Sequence, residues 1–151
     1  MKAQQSIVIK ASSERIFSYL MTVENRVDYI PALDEVIMLD EGPIRVGSRY
    51  IEVAEIAGRK LKTTYQVIEF EKNRHTAAKT IKSIFPIRAD LDLTQNQNDT
   101  LLVITLSFQL SGIFKLASRI VEGIVNQQAI GILKRIKSNV ESATVKSSGP
   151  I

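Results

Sequence analysis

The single histidine of the chain limits the catalytic chemistry that the sequence allows. His75 lies between a predicted turn and a predicted strand, and the chain has no cysteine. A Ser-His-Asp arrangement with a spare base and a multi-histidine or thiolate metal site are therefore both excluded. Gly42 and Gly47 are too isolated to form a phosphate-binding loop. We interpret His75 as a surface or structural residue, and we predict no catalytic residue, no metal site and no cofactor.

Carboxylates occur at spacings that could support acid–base chemistry if they were buried in a pocket. Asp90 and Asp92 follow Arg88 at every second position, with apolar residues between them. Strand alternation places this charged set opposite the core, so we expect it to face solvent. Glu52 and Glu55 lie on opposite faces of another predicted strand, so one of them could point inward.

Tyrosine is the residue type best suited to orient a ligand in an apolar pocket, because it combines an apolar ring with one hydroxyl. Tyr29, Tyr50 and Tyr65 are the candidates, and Tyr65 shares strand parity with Thr63 and Val67, the expected concave face. Aromatic residues of the late strands and a glutamine of the last helix would complete the lining. The predicted ligand-binding residues are Tyr29, Tyr50, Tyr65, Phe85, Phe108, Phe114 and Gln128.

The elements that must position these residues follow from the changing hydrophobic period. A strand near Ile7 is followed by a helix capped at Ser12 and a short second helix that ends before Pro31. Six strand-like runs come next, with a hairpin turn at Gly58-Arg59. Short connections imply an antiparallel meander that is apolar on one face. The runs cover residues 34–40, 48–57, 60–71, 75–84, 87–94 and 101–110.

An amphipathic run from Ile113 to Ser142 predicts a long C-terminal helix that covers the apolar face. Its apolar residues form two stripes that are offset by about a third of a turn, with Gln127, Gln128 and Gly131 at the join. Either the helix curves gently over an ordinary core, or its two halves face different surfaces. A functional interpretation is that Gln128 faces an internal space that is not fully packed.

Length and composition indicate one α+β domain over 1–143 with a flexible tail over 144–151. The 151 residues are 44% hydrophobic and 24% charged, with a net charge of +4. The cationic residues are scattered, so we expect no nucleic-acid binding. We find no apolar stretch long enough to span a membrane and no secretory signal, and the lack of cysteine fits a cytoplasmic location.

Several stretches give the chain a resemblance to the START-like superfamily, which includes polyketide cyclases/dehydrases, lipid-transport proteins and Bet v 1 allergens. The resemblance implies a helix-grip fold, with a seven-stranded curved antiparallel sheet around the C-terminal helix. It also implies a cavity between them, with Tyr29 near its mouth. The stretches are the strand and capped helix of residues 6–20, Glu24-Asn25 to Tyr29-Ile30-Pro31, Gly42-Pro43, Val46 to Tyr50, and Val67 to Phe70.

We therefore predict that the protein binds a small hydrophobic or lipid-like molecule in this cavity, as a monomer or homodimer. One alternative is a cyclase or dehydratase enzyme, which an inward-facing Glu52 or Lys79 would favour. Another is a protein-interaction module whose cavity is closed.

Overall fold

The computed structural model describes residues 1–83 and 85–147, with side chains through residue 143. The predicted tail, 144–151, lies outside the described residues except for the backbone of 144–147, which continues the last helix. The strands are β1 (Lys2–Ile9), β2 (Leu33–Met38), β3 (Arg49–Ile56), β4 (Arg59–Glu71), β5 (His75–Ile81), β6 (Ile87–Asn96) and β7 (Asp99–Phe108). The helices are α1 (Ser13–Met21), α2 (Arg26–Tyr29) and α3 (Ser118–Ser147), with short 3₁₀ turns at Val23–Asn25 and Gly112–Ala117.

The seven strands form one antiparallel sheet in the order β1-β7-β6-β5-β4-β3-β2. This confirms the predicted meander, and β1 adds to its far edge by pairing with β7. The β3–β4 turn falls one residue earlier than expected. Ala57 and Gly58 both have positive φ, 52° and 76°, the conformation of a two-residue turn that matches strand twist.

Helix α1 is capped as the sequence predicts. The Ser12 side chain accepts a hydrogen bond from the Arg15 amide at 3.2 Å, which satisfies one of the free donors of the first turn. The helix buries Ile16, Phe17 and Leu20. These side chains join the core that α3 and the concave face of the sheet complete.

Helix α3 lies along β1 and is held there by polar contacts as well as by packing. The Gln5 side-chain amide donates to Asn126 at 2.9 Å, and the Lys137 ammonium donates to the Val8 carbonyl at 2.7 Å. Glu141 accepts from the backbone amide of Lys10 at 2.9 Å. Because these contacts are spread along the helix, they fix both its axial position and its rotation.

The two apolar stripes of the C-terminal run face different surfaces, one of the two alternatives raised by their offset. Leu133 and Ile136 are fully buried against the sheet, whereas Ile120 and Ile124 are exposed. Among the described residues, no helix is both long and apolar enough to cross a membrane.

Candidate functional site

A cavity of about 110 Å³ lies between the concave face of the sheet and the helices. Its wall is almost entirely apolar, and its position agrees with the one that the resemblance implies. The lining residues are Leu20, Met21, Val23, Arg26, Tyr29, Ile30, Ile44, Tyr50, Val67, Thr76, Ala78, Ala89, Leu91, Ile104, Leu106, Ile132 and Ile136.

Strand alternation supplies the sheet side of the cavity. Ala89 and Leu91 of β6 and Ile104 and Leu106 of β7 line it, which confirms the predicted apolar faces of both strands. Ala78 pairs with Ala89 in neighbouring strands. Two alanines side by side leave a space that larger side chains would fill, so the cavity is encoded in the sheet itself.

Arg26 of α2 forms the polar end of the cavity and makes an ion pair with Glu52 of β3. The Arg26 Nε donates to the Glu52 Oε1 at 2.9 Å, and a second guanidinium nitrogen contacts the same oxygen. Both side chains are mostly buried, with 19% and 13% of their surface exposed. Burial opposes the charge on Arg26, but neighbouring Tyr50 and Glu52 outweigh it and hold the Arg26 pKa above its ordinary value.

Tyr29 lines the same cavity and carries an unpaired hydroxyl. Tyr29 is 3% exposed, and its hydroxyl is the one buried side-chain polar atom without a hydrogen-bond partner among the described residues. Burial raises the Tyr29 pKa to about 12, with Arg26 acting in the opposite direction. At neutral pH the hydroxyl is therefore protonated and can both donate and accept.

Tyr50 and Tyr65 form a stacked pair on adjacent strands. Their ring centroids are 5.5 Å apart and the rings are nearly parallel, as expected for residues directly opposite in the β3–β4 register. Tyr50 faces the cavity, and Tyr65 supports it from β4 without lining it. Burial raises the pKa of both hydroxyls, so both stay neutral.

The loop between β2 and β3 carries Ile44 to the rim of the cavity. Gly47, with φ 95°, donates its amide to the Val67 carbonyl at 2.8 Å, and the Val67 amide donates to the Ser48 carbonyl at 2.9 Å. A side chain at Gly47 would be strained in this conformation. The paired hydrogen bonds anchor the loop to β4 and fix one side of the opening.

The predicted ligand-binding residues divide into two groups. Tyr29 and Tyr50 line the cavity. Phe108 is buried, but it does not belong to the lining, whereas Phe85 and Phe114 are exposed and contact each other edge to face. The inward position expected of Gln128 is wrong: this residue is exposed and borders an outer groove with Pro31. The helix is rotated so that its second apolar stripe, which includes Leu133 and Ile136, faces the sheet. The polar segment between the two stripes, which includes Gln128, therefore faces outward.

Arg26 is the site residue that the sequence reasoning missed. It stands in a four-residue helix, where no hydrophobic period shows which way a side chain points. Its partner Glu52 is one of the two carboxylates of β3 of which the sequence allows one to point inward, and in the structure Glu52 is the mostly buried one, with 13% of its side chain exposed. The sequence did contain a clue to Arg26. A mostly buried carboxylate such as Glu52 requires a cation nearby, and Arg26 lies on the helix next to the cavity mouth.

A second charged cluster lies on the outer face of the sheet and includes the single histidine. His75 contacts Glu69 and Asp92, each at 2.7 Å, and Arg88 donates to Asp90 and Glu69. The outward orientation predicted for the Arg88, Asp90 and Asp92 face is confirmed. Because each of these carboxylates already pairs with Arg88 or His75, we interpret the cluster as a charge network that joins three strands. A further cation, Lys79, is exposed rather than inward.

Comparison with known proteins places the chain in a family. The family described as "Polyketide cyclase / dehydrase and lipid transport" matches residues 1–141, and the chain belongs to it. No curated protein matches the sequence.

Solved structures share the fold at low sequence identity. Zhui aromatase/cyclase from Streptomyces sp. R1128 is 17% identical with a TM-score of 0.80, and 99% of each chain is covered. TTHA0849 from Thermus thermophilus is 18% identical with a TM-score of 0.79, covering 95% of this chain and 99% of that one. A START superfamily protein from Mycobacterium smegmatis is 16% identical with a TM-score of 0.76, covering 94% and 98%. At these identities the likeness shows the fold alone.

Proposed function

We propose that the protein binds a small, compact apolar molecule that carries one hydrogen-bonding group, inside the sheet–helix cavity. The observation that carries this proposal is a mostly apolar cavity that Tyr29 helps to line, together with the buried Tyr29 hydroxyl that has no partner among the described residues. A buried hydroxyl without a partner costs about 1–3 kcal/mol. A ligand oxygen or nitrogen placed against it would recover that cost. The family description, which names lipid transport and polyketide cyclases, is consistent with a ligand of this character.

Cavity size limits the ligand class. The volume of about 110 Å³ is of the order of a site that holds one benzene ring, roughly 150 Å³. Drug-sized ligands occupy roughly 300–1,000 Å³. The cavity is therefore at the lower limit for a single ring, and a larger or lipid-like ligand requires the rim at Met21 and Ile44 to move. Binding would take place in the cytoplasm, the compartment that a chain without cysteine favours.

The proposal is tested with toluene and p-cresol, which differ by one hydroxyl. Following the methyl signals of Ala78 and Ala89 by NMR during titration, we expect p-cresol to bind about tenfold more tightly, since one hydrogen bond contributes roughly 1–1.5 kcal/mol. Tyr29→Phe should abolish or reverse the preference for p-cresol, because the ligand hydroxyl would then be buried without this partner. Ala89→Leu should fill the cavity and abolish the binding of both toluene and p-cresol.

The matched control is Tyr19→Phe. Tyr19 packs beside Tyr29, with 5.8 Å between ring centroids, but its hydroxyl already accepts a hydrogen bond from Asn139. The preference for p-cresol should survive this substitution. Failure of both probes to bind the unmodified protein, or binding that Ala89→Leu leaves intact, would overturn the proposal.

A cyclase or dehydratase activity is the second candidate, favoured by the inward Arg26–Glu52 pair. A buried guanidinium can stabilise the oxyanion that forms when a polyketone chain closes into a ring. Incubation with a short poly-β-ketone thioester, followed by ultraviolet absorbance of the aromatic product, tests it. Turnover that Arg26→Met abolishes would support this function, and an unchanged substrate would exclude it for that substrate. The third alternative, an interaction module with a closed cavity, fits less well because the cavity is not filled by side chains.

A further inference from the structure

Four large aliphatic residues before and at the start of α3 project into solvent. Ile113, Leu116, Ile120 and Ile124 are 78%, 92%, 69% and 54% exposed. Ile120 and Ile124 point about half a turn away from Leu133, which α3 buries against the sheet. Packing among the residues that the structure describes therefore does not account for these side chains.

Aromatic residues extend this surface beyond the helix. Phe85, from the β5–β6 connection, packs edge to face against Phe114, with ring centroids 5.4 Å apart. The two rings remain 39% and 47% exposed. Two separate chain segments thus contribute to one apolar surface, and large surfaces of this kind mark interaction sites on soluble proteins. The outer apolar patch consists of Phe85, Ile113, Phe114, Leu116, Ile120 and Ile124.

The charges along this part of the chain are almost all positive. Lys115, Arg119, Lys134 and Arg135 are exposed, whereas the single carboxylate among residues 112–139, Glu122, is half-buried. Arg135 also borders the same outer groove as Ile120 and Ile124. The outer apolar patch, bordered by cationic residues, is complementary to a surface that has negative charges on the outside and hydrocarbon below them.

This charge pattern distinguishes between the partners that could cover the outer apolar patch. A second copy that used the same patch through a twofold axis would bring the two cationic rims together, which is unfavourable. Ile113 and Leu116, which are 78% and 92% exposed, do not belong to the outer groove that Ile120 and Ile124 border, so a peptide seated in that groove would leave them uncovered. Amphipathic helices with Lys and Arg at their borders bury their apolar faces in the interface of anionic bilayers.

We propose that the outer apolar patch docks the protein on the surface of an anionic lipid bilayer. Phe85, Leu116 and Ile120 enter the boundary between headgroups and acyl chains, and Lys115 and Arg119 contact lipid phosphates. The interaction is peripheral and reversible. It does not depend on the cavity, since none of the patch residues lines it.

Vesicle flotation tests the proposal with two compositions, pure phosphatidylcholine and a mixture of phosphatidylcholine with phosphatidylglycerol. We expect the protein to float with the mixed vesicles and to be released by high salt, because screening weakens attraction between exposed charges. Leu116→Gln and Ile120→Gln should each lower the partition coefficient about tenfold. Lys115→Gln and Arg119→Gln should each lower it about fivefold.

Val8→Gln is the matched control, because Val8 is 50% exposed on the outer face of the sheet and should leave partitioning unchanged. All of the substituted residues are exposed, and circular dichroism checks that each variant is folded. Equal flotation of the wild type and the Leu116→Gln/Ile120→Gln variant, or no flotation with mixed vesicles, would overturn the proposal. A dimer that Leu116→Gln dissociates would instead assign the patch to a second copy.

Discussion

Arg26 lies over the ring of Tyr50, with 5.1 Å from its guanidinium carbon to the ring centroid, while it pairs with Glu52. The aromatic face and the carboxylate together hold a cation at the edge of an apolar cavity. This arrangement links α2, the shortest helix, to the sheet. It gives the cavity a fixed electrostatic direction, with the charged end at Arg26 and the apolar end at Ile104 and Leu106.

Removing one partner of this ion pair should destabilise the protein more than removing both. Glu52→Gln leaves the Arg26 charge buried without its counterion, and we expect a loss of about 3 kcal/mol in the free energy of unfolding. The Arg26→Met/Glu52→Leu variant should recover most of that loss. Urea unfolding of the two variants measures the difference. Equal losses in both would show that the pair is not coupled.

Tyr29→Phe should preserve or increase stability, in contrast to most core substitutions. The hydroxyl has no hydrogen-bond partner among the described residues, so its removal eliminates a desolvation cost of about 1–3 kcal/mol. Tyr19→Phe removes a paired hydroxyl and should cost about 1 kcal/mol. Thermal unfolding should therefore rank Tyr29→Phe at or above the wild type, and Tyr19→Phe below it. The reverse order would mean that the Tyr29 hydroxyl is satisfied in solution.

The sequence predicts the frame of this site better than its polar contacts. Strand alternation correctly places Leu91 and Ile104 on the cavity side, because a period of two leaves only one inward face. The Arg26–Glu52 contact joins residues 26 positions apart, and no local pattern specifies such a pair.

The rotation of α3 could not be predicted for a different reason. Both halves of the helix carry an apolar stripe, so the pattern does not show which stripe faces the sheet. The structure selects the second one through contacts such as Gln5 to Asn126. Gln128 consequently lies outside, and Phe114 belongs to the outer patch although its residue type is equally typical of a core.

A pair of isoleucines in α3 tests this rotation. Ile136 is fully buried and Ile120 is 69% exposed. Ile136→Ala should cost about 2–5 kcal/mol through lost burial and a new cavity, whereas Ile120→Ala should change the free energy of unfolding by less than about 0.5 kcal/mol. Urea unfolding of both variants provides the measurement. Comparable losses would mean that the first half of α3 packs against the protein in solution.

The charge network around His75 should make stability depend on pH. Partial burial disfavours the charged form, but hydrogen bonds to Glu69 and Asp92 outweigh it and raise the His75 pKa above its ordinary value. Because the folded pKa exceeds the unfolded one, the stabilisation is fully present below about pH 6.5. It is lost as the pH rises through the folded value.

We therefore expect the free energy of unfolding to fall as the pH rises above about 6.5, the ordinary pKa of histidine, through the higher folded pKa of His75. His75→Gln keeps a polar group of similar size without the titration, so its stability should be flat across that range. The neighbouring Glu69 has a lowered pKa, because it accepts hydrogen bonds from His75 and Arg88, and its contribution changes only at acidic pH. Urea unfolding at closely spaced pH values compares the two proteins. A slope that persists in His75→Gln would assign the pH dependence to another group.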